Sequence, residues 1–263
     1  MLLETLIQSL LTDYGDNSIK IRGKPFNLLY EEILSRSLFS KKVDREYLVL
    51  ESISEYIKKF NFNIYHKKAI EKYKTIITTN YDYAFEKIDF NIDIDDFKSI
   101  SKELRYSINR KININKNKNS IWHIHGEANK PNSICIGYEH YSAYIQQMRN
   151  YIIDNRKFFN VADSPDEYNE SWLKYIFTED IDIIGLDLNF SEIDLWWLII
   201  YRSRSLNRHK KESVNKITYY LKEEEYYSEK DIEKFELLKA NNIIIENVKA
   251  KTYKEYYKKV LDK

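Results

Sequence analysis

The chain is short of several residue types, and each shortage closes a route. It has a single cysteine, Cys135, in 263 residues, which excludes an internal disulfide and a cysteine-rich zinc site and fits a reducing compartment. Lys plus Arg total 42 against 41 for Asp plus Glu, so no global field exists to hold nucleic acid or an anionic membrane. No apolar run reaches membrane-spanning length, and the Leu2-Leu3-Glu4 run is broken by an acid, without a basic lead or a small-residue cleavage site. The expectation is a cytoplasmic, non-exported protein without direct nucleic-acid or membrane contacts. Of the few glycines, Gly15 and Gly23 lie in the polar connection Asp13–Lys24, which does not read as strand, Gly-rich turn and helix. Pro165, in Asp163-Ser-Pro-Asp166, marks a turn and helix start rather than a linker. With no internal repeat and ample length for a buried core, one domain over 1–263 is expected.

What is present divides into two characters. Leu2–Leu11, Pro25–Leu34 and Tyr47–Phe60 carry apolar residues at helical spacing, so residues 1–70 read as a helical N-terminal part. From residue 71 onward strands alternate with helices, which argues for an α/β core with a mostly parallel sheet. Expected strands are Lys74–Thr79, Ile121–His125, Ser133–Ile136, Ile181–Gly185, Lys216–Leu221 and Asn242–Glu246. Expected helices are Tyr138–Asn155, Ser171–Phe177, Ser191–Ser205, Asp231–Lys239 and Tyr253–Leu261. Lys111–Asn119, alternating Lys, Asn and Ile, reads as a solvated loop of low complexity.

Three stretches carry the chemistry. Thr75-Ile-Ile-Thr-Thr-Asn-Tyr-Asp82 is a buried-strand run ending in Asn80, with Tyr81, Phe85 and Ile88 then at helical spacing. Asn80 and Asp82 can punctuate such a handover; equally, in open α/β sheets ligands bind outside the carboxyl ends of strands. Ile121-Trp-His-Ile-His-Gly-Glu127 is a strand ending at Gly126, with His123 and His125 on one face by period-two alternation. His123 reads as a satisfied core histidine. His125, at the strand end, suits a general base or positioning group, and Gly126 would let a ligand approach the backbone. A metal shared by the two histidines lacks an obvious third and fourth ligand, and no metal is expected. Ile181-Asp-Ile-Ile-Gly-Leu-Asp-Leu-Asn-Phe-Ser-Glu-Ile-Asp194 is strand, glycine turn and helix; Ser191 and Asp194 have capping-box spacing, and the Trp196–Trp197 helix reads as core. Arg202, Arg204, Arg208, Lys210 and Lys211 follow at its C-terminal end, where cations complement the dipole.

Asn80 and Asp82 in Thr-Thr-Asn-Tyr-Asp, His125 in Trp-His-Ile-His-Gly, Ile-Gly-Tyr138 with Tyr141, and Ile-Ile-Gly185 with Asp194 resemble, in order and spacing, the sirtuin-like domain family over about residues 70–210. The resemblance is best with bacterial NAD-cleaving effectors of antiphage defence. It implies a Rossmann-like sheet flanked by helices, with NAD+ as substrate across the strand ends. Carried over by position, Asn80 would order the nicotinamide ribose and the attacking water, Asp82 would hold the nicotinamide-side geometry, and His125 would be the catalytic histidine. Thr79, Tyr81 and Gly126 would line the same end, and Gly185, Asp187, Asn189 and Asp194 the adenosine half. The activity implied is that of an NAD+ glycohydrolase acting in abortive infection and gated by a separate sensor, in a hetero-oligomer. Similar effectors work with short Argonautes, with hexameric ATPases or, in Kongming-type systems, with a nucleotide-sensing subunit of inosine-triphosphate-pyrophosphatase type; the last is favoured on size.

The sequence departs from the family twice. One cysteine cannot build the four-cysteine zinc module of protein-deacylating sirtuins, which disfavours deacylation. The Gly-Ala-Gly-type turn that meets the NAD pyrophosphate elsewhere in the family does not occur before Asn80. The alternative is therefore a non-catalytic nucleotide-binding or scaffold subunit of a defence complex.

Overall fold

The computed structural model describes residues 19, 23–36, 45–89, 105–116, 118–154, 170–208, 215–224 and 226–263. The expected helix Leu2–Leu11, Gly15 and the turn at Asp163–Asp166 lie outside them. The chain forms two compact units, residues 1–148 and 149–263, with the division inside one helix. It is a mixed α/β fold of Rossmann-like kind, in which helices alternate with parallel strand pairs and the N-terminal part is helical.

In the first unit, α1 (Phe26–Arg36), α2 (Arg45–Ile57) and α3 (Ile64–Lys72) precede β1 (Thr75–Thr78), β2 (Lys111–Ile114), β3 (Asn119–His123) and α4 (Tyr138–Asp154), which crosses the division. Leu29, Tyr30 and Ile33 of α1 and Val49, Leu50, Ile53 and Ile57 of α2 are buried, the i, i+3, i+4 stripe that their spacing demands. They form one core with Ile112 and Ile114 of β2 and Ile121 of β3. Asn63 starts α3 with a reciprocal cap: its side chain accepts from the amides of Tyr65 and His66, and His66 Nδ1 accepts from the Asn63 amide at 3.0 Å.

The sheet order is β1-β3-β2, with β1 parallel and β2 antiparallel to β3. Three expectations are corrected in this unit. The low-complexity segment Lys111–Asn119 is a hairpin arm rather than a loop: Ile112 and Ile114 alternate inward while Lys111 and Asn113 do not, and the chain turns back through Asn115 and Lys116 at φ 52° and 55°. Ser133–Ile136 is not a strand; a 3-10 turn occupies Pro131–Ser133, where proline opens the turn and removes a ladder donor. The helix expected from Asn80 is likewise a single 3-10 turn, Glu86–Ile88, among the described residues. Tyr81, Phe85 and Ile88 nonetheless all pack against the core.

The second unit holds α5 (Leu173–Thr178), β4 (Ile181–Ile183), α6 (Ile193–Arg208), β5 (Ile217–Lys222), α7 (Glu229–Ala240), β6 (Ile243–Val248) and α8 (Tyr253–Leu261). Its three strands are parallel in the order β4-β5-β6, as strands joined by helical crossovers should be. Asp194, Leu195, Trp196, Leu198, Ile199, Arg202, Ser203, Ser205 and Leu206 are all buried along α6, so the tryptophan-bearing helix is core. Arg202, expected near the C-terminal end of this helix as a complement to its dipole, is drawn into the core. It is 1% exposed, and its guanidinium bonds Ile176 O, Asn215 O and Asn215 Oδ1 at 3.1, 2.8 and 3.0 Å, tying α5 to the start of β5. No helix among the described residues is long and apolar enough to cross a membrane.

Candidate active site

The register of the first sheet sets the geometry. Thr78 pairs with His123, and the Ile124 amide donates to Thr78 O at 3.1 Å. Asn80 and His125 each lie two residues beyond that pair, so parallel pairing carries both to the same carboxyl end of the sheet. Thr79, Tyr81, Asp82 and Gly126 flank them in sequence there.

The loop leaving β1 is held at successive residues by its own turn, by His123 of β3 and by the stretch after β3. The Asn80 amide donates to Thr78 Oγ1 at 3.1 Å, and the Asn80 carbonyl lies 3.1 Å from His123 Nδ1. Tyr81 O accepts from the Ala128 amide at 2.8 Å, and Tyr81 donates its hydroxyl to Cys135 O at 2.8 Å. Asp82 Oδ1 accepts from the Ala84 amide at 2.9 Å, so one carboxylate oxygen serves the turn. Tyr83 donates to Glu127 Oε2 at 3.0 Å and accepts from the Asn129 amide at 3.2 Å. The Asn80 side-chain amide, by contrast, is exposed and makes no hydrogen bond among the described residues.

Beneath the loop sits a buried polar cluster. His123 is 0% exposed, and its Nε2 meets Glu86 Oε1 at 2.7 Å. Glu127 is also 0% exposed and faces Arg110 at 3.2 Å, with Lys130 at 3.7 Å. Burial drives the His123 imidazolium down, but Glu86, Glu127 and the Asn80 carbonyl together outweigh it, and the net shift is upward. Burial, with the Glu127 carboxylate, pushes the Tyr83 hydroxyl far above its ordinary range. With both His123 nitrogens engaged, a metal shared with His125 would have to break one of these contacts.

His125 is 1% exposed and lies in an aromatic surround, edge-on to Tyr141 at 5.3 Å and to Tyr144 at 6.1 Å between ring centroids. Its carbonyl accepts from the Cys135 amide at 2.7 Å, fixing the strand end. Gly126 has φ 110°, and a Cβ there would stand 2.7 Å from Ile134 Cα. The close approach expected of a ligand is thus made by the chain's own Ser133–Ile134 backbone. Helix α4 opens beside this stretch, where His140 Nδ1 accepts from the Ile136 and Gly137 amides, both at 3.2 Å, and its Nε2 donates to Glu46 at 2.7 Å. Two amide donors on Nδ1 fix the proton on Nε2. Sequence reading passed over His123 as a partner of Asn80, and also Glu86, Arg110 and Glu127. Nothing in the local sequence marks these residues, since Glu86 is followed by Lys87 and Glu127 lies between Gly126 and Ala128.

In the second unit the expected residues follow β4. Gly185 takes φ 70° with the Tyr257 hydroxyl against it, and the buried Leu188 takes φ 49°. The exposed Asp187 is pinned by Lys234, whose Nζ reaches Asp187 Oδ1 at 2.9 Å and Asp187 O at 3.0 Å. Asn189, also exposed, accepts from Trp196 Nε1 through its carbonyl at 3.1 Å. Asp194 stands in the first turn of α6 and is 0% exposed, deeper than a surface cap requires. Gly23, in the first unit, takes φ 84° just ahead of α1.

A SIR2-like domain family matches residues 74–165, less than half of the chain. The match supports a sirtuin-like domain and, in general terms, NAD-related activity. It contains Asn80, Asp82, His125, Gly126, Tyr138 and Tyr141, and it ends before Gly185, Asp187, Asn189 and Asp194. Neither curated proteins nor solved structures gave a match.

Proposed function

We propose that the chain is an NAD+ glycohydrolase that cleaves the nicotinamide–ribose bond at the carboxyl end of β1 and β3. The observation that carries this reading is Asn80: its backbone is fastened on both sides while its side-chain amide is left exposed and without a protein partner among the described residues. A pinned loop that presents one amide suits a reaction in which positioning dominates. The bond breaks through an oxocarbenium-like state with a neutral leaving group, so a strong nucleophile is not required. Asn80 would hold the ribose hydroxyls and the attacking water, and Asp82 would order the nicotinamide side. His125, in its aromatic surround, would accept the water's proton.

Such an activity, unrestrained, would exhaust the host cell's NAD. The reading therefore includes a separate gating protein and a role in antiphage abortive infection, with a nucleotide-sensing subunit as the favoured partner. A second reading, a non-catalytic nucleotide-binding or scaffold subunit, draws on the lack of a Gly-Ala-Gly turn before Asn80.

The test is nicotinamide release from NAD+ by the purified chain, alone and with the product of its neighbouring gene plus candidate nucleotides. Release that disappears in Asn80→Ala and in His125→Ala, with both variants folded, is expected. No release under any condition, and no protection of the fold by NAD+ against heat, would favour the scaffold.

A further inference from the structure

We infer that His123 and Glu86 form a positioning pair that fixes the main chain at Asn80 and so aims its side-chain amide at the ligand. This rests on the reading of Asn80 as the residue that contacts NAD+.

The geometry leaves few alternatives for the protons. A carbonyl oxygen only accepts, so the 3.1 Å contact between His123 Nδ1 and Asn80 O places a hydrogen on Nδ1. One further proton then lies between Nε2 and Glu86 Oε1, 2.7 Å apart, whether written as imidazolium with carboxylate or imidazole with carboxylic acid. Either way the ring is oriented from its far side by Glu86 and grips the loop on its near side.

The groups around the ring reinforce that orientation. Arg110 Nη1 lies 3.5 Å from the His123 carbonyl, the Tyr83 ring stands edge-on at 5.7 Å, and Glu127 adds its field with Arg110 and Lys130 beside it. Glu86 enters from the 3-10 turn that ends the same loop, so the pair closes the loop on itself from Asn80 to Glu86.

Packing alone does not account for this choice. His123 and Glu86 are both 0% exposed, and Glu86 Oε2 has no hydrogen bond among the described residues. Buried ionic pairs stabilise no better than apolar side chains of similar volume. What an apolar pair could not supply is a directed donor to the one carbonyl next to the exposed amide.

The experiment compares His123→Phe, His123→Asn and Glu86→Gln with wild type in the full chain. It reads the 13C resonance of the Asn80 carbonyl, the KM and kcat for nicotinamide release in whichever condition activates wild type, and the melting curve. His123→Phe removes the donor; it should move the Asn80 carbonyl resonance and lower kcat/KM roughly tenfold, the scale of one directed hydrogen bond. His123→Asn places an amide nitrogen near the Nδ1 position and should restore most of both. Glu86→Gln should fall between, because its amide can donate to Nε2 while Nδ1 keeps its hydrogen. A folded His123→Phe with wild-type resonance and kinetics would overturn the inference, as would His123→Asn no better than His123→Phe. Should His123→Phe not fold, His123→Asn decides: loss of the wild-type Asn80 carbonyl resonance refutes the pair. If wild type never releases nicotinamide and NAD+ leaves the Asn80 side-chain amide resonance unmoved, the functional reading fails separately. The carbonyl resonance then still reports whether His123 holds the loop.

Discussion

Arg110 Nε and Glu127 Oε1 face each other at 3.2 Å, with side chains 1% and 0% exposed. Arg110 lies just before β2 and Glu127 just after β3, so the contact staples the hairpin's outer ends beneath the candidate site. Tyr83 adds a third element by donating to the other carboxylate oxygen.

Removing one member of that contact should cost more than removing both. Arg110→Met leaves Glu127 buried with Lys130 standing off at 3.7 Å, and should lower unfolding free energy by about 3 kcal/mol. Arg110→Met with Glu127→Leu should recover much of that. Urea unfolding of both variants checks it, and a single variant within experimental error of wild type would show that water reaches the pair.

Two glycines at positive φ should respond differently to alanine. At Gly126 the new Cβ would meet backbone, Ile134 Cα at 2.7 Å and the Ser133 carbonyl, and backbone cannot swing aside. At Gly185 the neighbour is the tip of the Tyr257 side chain. Gly126→Ala should therefore cost about 3 kcal/mol or more and Gly185→Ala nearer about 1 kcal/mol, mostly for its left-handed backbone. Equal losses in thermal melts would contradict this.

The upward shift of His123 fixes the sign of a pH effect. A group whose folded pKa is raised contributes stability that is full below its unfolded value, about 6.5 for histidine. That contribution is lost as pH rises through the folded value. Glu86→Gln removes the carboxylate, so its stability deficit against wild type should be greatest near pH 6 and shrink toward alkaline pH. Paired urea titrations across that range test it; a deficit that grows with pH would reverse the assignment.

Asp194→Ala tests what the first turn of α6 does. A surface cap would cost about 1 kcal/mol. A carboxylate wholly out of water at a helix N-terminus should cost nearer about 2 kcal/mol, read in urea unfolding. A loss of NAD+ affinity beyond what the destabilisation explains would favour a ligand contact.

The sequence disclosed the elements better than their junctions. The stripes of α1, α2 and α6 and the strands β1, β4, β5 and β6 were legible because periodicity reports which face is buried. The hairpin arm at Lys111–Ile114 was not, since lysine and asparagine on its outward positions imitate a solvated loop. The apolar spacing from Tyr81 to Ile88 reported burial correctly and the element wrongly, because a pinned loop can bury the same residues as a helix. Asn80 and His125 stood out as polar groups at strand ends. Their support did not: Arg110 and Glu86 acquire meaning only when chain folding brings them to Glu127 and His123.

The one cysteine has a practical consequence. Cys135 is 0% exposed, donates its thiol to Arg105 O at 3.1 Å, and carries the carbonyl that receives the Tyr81 hydroxyl. A thiol reagent must wait for this region to open, so its labelling rate clocks the opening of the very loop that presents Asn80. With no other thiol in the chain, that clock can be read without removing or adding a single side chain.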